Sequence, residues 1–315
     1  MRQTPLLILA YNRPEKVKAL VERLRMLAPP LVMVAVDGPR TGKPGDDAKV
    51  RAVRDAVDGI DWGAEVYTRF RPVNVGLRAS VVDAVGWAIS EYGQVIVLEE
   101  DVLPGPDFMP YAEYMLELFR DDPRIAHISA YNVVPTDRMD TPDAASRLTV
   151  YPESIAWATW DRAWAGYDDD LGWGGAATVK VLRPIVGGVF AALRWRQNFS
   201  DARAQRISTW AYRWVASMWS RRQLVVSPNH NLVTYIGQDE GTHTTTVPPW
   251  TELELYSGER DALLVPPTGL DRSAELWVNR VVFRGTIFGV LRGVAITAVL
   301  ALRKRRQERA SLTRH

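Results

Sequence analysis

The chain reads as an α/β protein, a mostly parallel sheet flanked by helices. Three observations predict this class. Short apolar runs of strand length alternate with longer stretches of helical period. The runs at 6–10, 31–36 and 95–98 are apolar throughout rather than alternating, as in strands covered on both faces. Each then stops on polar residues, Tyr11-Asn12-Arg13, Asp37 and Glu99-Glu100-Asp101, at the strand ends where open α/β sheets place ligands.

Residues 6–10 form the first strand. Pro14 suits the first turn of a helix, and Val17, Leu20, Val21, Leu24 and Leu27 recur on one face until Pro29-Pro30. Residues 31–36 are a second strand, closing on Asp37-Gly38. Thr41-Gly42-Lys43-Pro44 fails the phosphate-loop pattern, because its glycines are too close together and no Ser or Thr follows the lysine. A helix from about 47 to 60 and a strand near 65–69 follow. Asn74-Val75-Gly76-Leu77-Arg78 opens a helix to about 92. Backbone N–H groups there, with Arg78, favour an anion; a solvated first turn is the plainer account.

The strand at 95–98 carries the three acids. Burying them inside a sheet is costly, and adjacent carboxylates repel unless a positive charge lies between them. A divalent cation holding phosphate oxygens answers that need; a solvated acidic loop is the alternative. Pro106 starts a helix with Phe108, Tyr111, Met115, Leu118 and Phe119 inward, and 125–129 is a fifth strand. Pro, Asp and Thr accumulate over 133–146, dividing a first half, 1–132, from a second, 133–265, with a C-terminal helix and basic tail over 266–315. The second half holds most of the twelve tryptophans, with helices expected near 189–198 and 208–221 and a strand at 224–228.

Composition excludes several classes. A chain of 315 residues with 47% hydrophobic and 24% charged residues is ordinary for a globular protein with a full core. With no cysteine, disulfides and thiolate metal sites are ruled out, and four histidines make a His-rich zinc site improbable. Residues 303–315 carry +5 and residues 1–302 carry −3. That acidic body argues against nucleic acid, and the basic tail suggests an anionic surface. Residues 1–5 lead into only five apolar residues, so no secretory leader is expected and the protein is expected in the cytoplasm.

Taken in order, Tyr11-Asn12-Arg13-Pro14, Val36-Asp37, Asn74 to Leu77, Leu98 to Val102 with Pro106-Asp107-Phe108, Ile128 to Asn132, Trp157 to Trp160 with Arg162-Ala163-Trp164, and Pro228 to His243 resemble the GT-A-fold glycosyltransferases. The likeness is to the N-acetylglucosaminyltransferase I type and related bacterial family 2-like enzymes, over roughly residues 5–245. It implies a nucleotide-sugar half (1–132) and an acceptor half (133–265). Asp37 would bind the base of the donor, a UDP-sugar first among nucleotide sugars, with Asn12 and Arg13 on the nucleotide. Asp101 would coordinate Mn2+ or Mg2+ on the diphosphate, with Glu99 and Glu100 on ribose and sugar hydroxyls. Trp157 and Trp160 would flank a glycan or lipid-linked acceptor. The likeness favours His243 against metal or diphosphate, although a lone histidine in a Thr-rich loop is more often a surface residue. The implied activity is a metal-dependent transfer in surface polysaccharide or glycoconjugate synthesis.

One departure matters. Many relatives carry a Trp-Asp pair that supplies the base for an inverting displacement, whereas here the run is Ser208-Thr209-Trp210-Ala211. Alanine takes no proton. Asp239 and Glu240 follow Gly237 and precede His243, so Asp239 is the first expectation for the base and Glu240 the second, against an acidic turn that only shapes the loop. Asp161 is a further fallback. A nucleotidyltransferase and a non-catalytic nucleotide-sugar-binding protein remain the alternatives.

Residues 285–302 hold one charge, Arg292, across 18 positions. As a helix this run is about 27 Å long, close to the hydrocarbon thickness. Small residues recur every four from Gly285 to Ala301, and Arg303-Lys304-Arg305-Arg306 follow. The expectation is a helix in or on the inner face of the plasma membrane; a helix packed on the protein's own surface is the other reading.

Overall fold

The computed structural model describes residues 3–237 and 253–312, with side chains in the last helix described as far as Val299. The first half runs β1 (Leu6–Ala10), α1 (Pro14–Leu27), β2 (Leu31–Val36), α2 (Asp46–Val57), β3 (Glu65–Phe70), α3 (Leu77–Tyr92), β4 (Gln94–Glu99), β5 (Val102–Pro104), α4 (Phe108–Leu118) and β6 (Ile125–Ser129). Then come β7 (Ser146–Thr149), β8 (Ala156–Trp160), α5 (Asp161–Trp164), α6 (Gly172–Ala176), α7 (Val179–Val186), α8 (Val189–Arg203), α9 (Ala211–Ser220), β9 (Leu224–Pro228) and β10 (Val233–Tyr235). The chain closes with α10 (Arg272–Trp277) and α11 (Ile287–Leu312).

This is an α/β fold around a mixed, mostly parallel sheet of eight strands, ordered β3-β2-β1-β4-β8-β6-β9-β7. β3, β2, β1 and β4 are mutually parallel, as the β-α-β reading requires. The all-apolar runs are buried along their whole length in β1 and β2. β3 is the exposed edge, and its Glu65 and Arg69 suit an edge strand.

β8 was not expected. It runs antiparallel between β4 and β6 and joins the two halves, pairing Leu98 with Ala156 and Gln94 with Trp160. β5 and β10 form a separate antiparallel pair that sets Val102 against Tyr235. β7 is the far edge, antiparallel to β9.

Seven tryptophans of the second half, Trp157, Trp160, Trp164, Trp195, Trp210, Trp214 and Trp219, are buried in the core. Side chains alternate across β8, so Trp160 faces α4, where its indole N–H donates to the Leu116 carbonyl at 3.2 Å. Trp157 faces the other way, stacked between His127 (ring centroids 5.0 Å apart) and Trp210 (5.3 Å). His127 is a neutral imidazole here. Its Nδ1 accepts from Trp214 at 3.2 Å, Nε2 donates to the Glu153 carbonyl at 3.1 Å, and burial pushes its pKa down to about 3. A second cluster gathers Trp195, Trp219, Tyr151, Phe199 and Phe283. Each such contact contributes about 0.5–1.5 kcal/mol beyond area burial.

Candidate functional site

A cavity of about 550 Å³ opens at the carboxyl ends of β1, β2 and β4. Its floor is the acidic triplet that begins on the last residue of β4. Its lining includes Asn12, Arg13, Asp37, Asn74, Tyr235 and three further cations, Arg40, Lys43 and Lys49. One wall is therefore basic and the floor acidic, an arrangement with the charges to take a phosphate ester together with a metal cation.

The turn between β1 and α1 is bound to both sides of the cavity. The Tyr11 backbone N–H donates to Glu100 Oε2 at 2.7 Å. The Tyr11 hydroxyl and the Asn12 amide both donate to Asp46, the latter at 2.7 Å, and the Arg40 N–H adds a third bond at 2.8 Å. Burial works to raise the Asp46 pKa, but the bonds from Arg40, Tyr11 and Asn12 hold it down at about 2. Asp46 was missed in the sequence because an acid at a helix start is expected on dipole grounds alone.

Arg13 reaches across the floor, donating to Asp101 Oδ2 at 2.6 Å, with its Nε 3.7 Å from Glu100. Asp101 Oδ1 is buried and has no hydrogen-bond partner among the described residues. Glu99 is pushed up to about 8, by burial first and then by the charges of Asp101 and Glu100. Glu100 is pushed up to about 7 by burial, against the Tyr11 N–H and Arg13. Among the described residues no three Asp, Glu or His side chains converge as a closed metal site. The donor set present, one unpartnered oxygen of Asp101 beside two more carboxylates, fits a hard cation that takes its remaining ligands from phosphates and water.

Asp37 is in the cavity wall, but its carboxylate is engaged by the chain itself. Oδ1 accepts from the N–H groups of Gly38 (2.8 Å) and Val75 (3.0 Å), and Oδ2 from the Asn74 amide (2.9 Å) and the Gly76 N–H (3.1 Å). It pins the 74–76 loop over the end of β2. That loop passes so close that a Cβ on Gly38 would lie 2.3 Å from the Val73 carbonyl carbon.

Other expected residues lie elsewhere. Arg78 is outside the cavity lining and pairs with Asp169 at 2.6 Å, joining α3 to the 168–170 loop. Trp157 and Trp160, expected beside an acceptor, are 0% and 2% exposed. Because β8 is antiparallel, Trp160 and the following Asp161 stand at the opposite end of the sheet from Glu99. Trp160 therefore cannot flank the cavity, and Asp161 falls out as a proton acceptor. Asp239, Glu240 and His243 lie outside the described residues. The segment that leads to them starts against the floor: the Ile236 N–H donates to the Asp101 carbonyl at 2.8 Å, Lys16 Nζ to the Ile236 carbonyl at 2.7 Å, and a Cβ on Gly237 would lie 2.5 Å from Asp101 Oδ2.

The same reversal of β8 brings Glu153 to the site end of the sheet, outside the cavity lining. Its N–H donates to Ser129 Oγ at 3.1 Å, and two residues on the Ile155 carbonyl accepts from the Glu99 N–H at 3.1 Å. Burial pushes Glu153 up to about 8, against the charge of Arg147. Nothing in Tyr151-Pro152-Glu153-Ser154 marks this placement in the sequence, because it depends on strand direction.

Fold and cavity together define an α/β protein with an acid-floored, cation-walled site at the carboxyl ends of its parallel strands. Neither a scan against protein-family models nor a search of curated proteins finds a match for the chain.

Proposed function

We propose that the protein is a metal-dependent glycosyltransferase of the GT-A type, moving a sugar from a nucleotide-sugar donor to a glycan or lipid-linked acceptor. The observation that carries this reading is the cavity at the ends of β1, β2 and β4, with an Asp101 oxygen on its floor that has no partner among the described residues and Arg40, Lys43 and Lys49 on its wall. Asp101 would hold Mn2+ or Mg2+, which when bound neutralises charge on the departing diphosphate. Arg13 orients Asp101 and stands beside the phosphates, while Arg40, Lys43 and Lys49 draw the diphosphate in. Asp37 shapes the 74–76 loop, and the base stacks or bonds against that loop. Glu99 and Glu100 face ribose and sugar hydroxyls. The proton of the acceptor hydroxyl goes to Asp239, Glu240 or Glu153.

The test is a thermal-shift screen of UDP-, GDP- and dTDP-sugars with and without Mn2+, followed by a transfer and hydrolysis assay. Metal-dependent stabilisation and release of nucleoside diphosphate are expected. Metal-dependent binding with no turnover would assign a nucleotide-sugar-binding protein, the reading that Ala211 keeps open. Asp101→Ala should abolish the metal-dependent part of donor affinity in calorimetry, measured at a temperature where circular dichroism shows the variant folded. Unchanged Mn2+-dependent affinity would remove the assignment.

A further inference from the structure

The two faces of α11 have different surroundings. The small-residue face lies on α8. A Cβ on Gly285 would stand 3.0 Å from Ala191, and one on Gly293 would meet Gln197 and Arg194. Gln197 Nε2 donates to the Val290 carbonyl at 3.1 Å, and Thr297 Oγ1 to Asp201 at 2.9 Å. At Gly285, Gly293 and Thr297 the stripe that could have packed helices in a bilayer is thus occupied within the molecule.

The opposite face is apolar and open. Ile287, Phe288, Leu291, Val294 and Val299 share it at helical spacing and are 48–79% exposed. From Ile287 to Val299 the ridge is about 18 Å long. Single exposed apolar side chains are ordinary; a continuous ridge marks a contact surface. The same helix continues through Arg303-Lys304-Arg305-Arg306, and Arg292 is exposed within the ridge segment. An apolar stripe followed by a basic run matches an anionic bilayer, with the apolar side chains at the acyl boundary and the cations on lipid phosphates.

We propose that α11 docks the protein on an anionic phospholipid surface through its Phe288–Leu291–Val299 ridge, lying in the plane of the membrane. The stretch Arg272–Val299 is long and apolar enough to cross a bilayer by length and composition. Crossing would strip α11 from α8, break the Thr297–Asp201 bond and carry Arg292 into hydrocarbon, a costly place for a charge. Docking by the outer face keeps every contact with α8.

The experiment is co-sedimentation of the full chain with vesicles of phosphatidylcholine mixed with phosphatidylglycerol, and with phosphatidylcholine alone. Wild type should bind the mixed vesicles at least tenfold more tightly than the neutral ones. Phe288→Ser with Leu291→Ser should lower binding to the mixed vesicles at least tenfold, and Phe288→Ser alone, at the most exposed position, should lower it measurably with an unchanged melting curve. Replacing the four residues Arg303 to Arg306 by Gln should remove the preference for phosphatidylglycerol. Absence of binding to mixed vesicles, or wild-type binding by the ridge variants, would overturn the proposal. So would a wild-type dimer that the ridge variants convert to monomer without any vesicle binding, which would make the ridge a contact between two copies of the chain. Protection of the tail from added protease in sealed vesicles would overturn the in-plane arrangement.

Discussion

Asp37, Asp46 and Glu153 show what individual residues disclose and what they withhold. Asp37 stood out in the sequence because it ends an apolar run, and it does line the cavity. That its four bonds go to the chain itself follows only from the return of the 74–76 loop, which no local pattern encodes. Asp46 and Glu153 carried no signal, since one looked like a helix-start acid and the other like a loop acid. Glu153 gives a prediction in two parts. Its folded pKa, about 8, is above the ordinary carboxylate value, so the folded protein binds the extra proton between roughly pH 4.5 and 8. Its contribution to stability is therefore retained at low pH and lost as pH rises through 8. Urea midpoints of Glu153→Gln should gain on wild type from pH 5 to pH 8.5; parallel curves would show an ordinary, solvated carboxylate. If Glu153 also accepts the proton in transfer, the same variant should lose about 10²–10⁴-fold in turnover with donor affinity retained. Near-normal turnover would leave Asp239 and Glu240 as the acids to test.

At the scale of elements, what was legible had a period or a punctuation mark. The start of α1 could be read from Pro14 and its buried face from Val17, Leu20, Val21 and Leu24. β8 could not. Ala156-Trp157-Ala158-Thr159-Trp160 is buried on both faces, so it has no alternation, and its aromatic content also suits a ligand wall. β7 was hidden by Ser146 and Arg147; the two terminal nitrogens of the buried Arg147 guanidinium donate to the Pro228 carbonyl, Asn229 and Asn132, partners distant in the chain. The strand-to-loop junction at Gly38 allows a sharper test. Gly38→Ala would drive a methyl into the Val73 backbone and displace the loop that Asp37 holds. A loss of about 1–3 kcal/mol is expected, as for other overpacked sites, together with weaker donor binding. A variant that melts like wild type would mean that the loop yields without cost.

For the whole molecule, fold class was legible because parallel strands covered on both faces write themselves as apolar runs, while the direction of β8 had no such mark. That direction decides what the tryptophans do. Trp157→Ala should cost about 3–5 kcal/mol by opening a large cavity in the stack of His127, Trp210 and Trp164. At a temperature where the variant remains folded, its turnover and donor affinity should match wild type; loss of turnover without loss of stability would return Trp157 to the acceptor wall. The position of β8 also bears on how the chain is made. In a nascent chain whose first half has folded, β4 would have one edge paired to β1 and the other bare, since its partner on that side is encoded well downstream, after α4, β6 and β7. That bare edge is the all-apolar run Val95 to Leu98, the kind of strand other chains add to. Such a chain would carry an adhesive sheet edge, closed only when Ala156–Trp160 arrives, and one stalled in that interval is the form in which chaperones would be recruited and aggregates seeded.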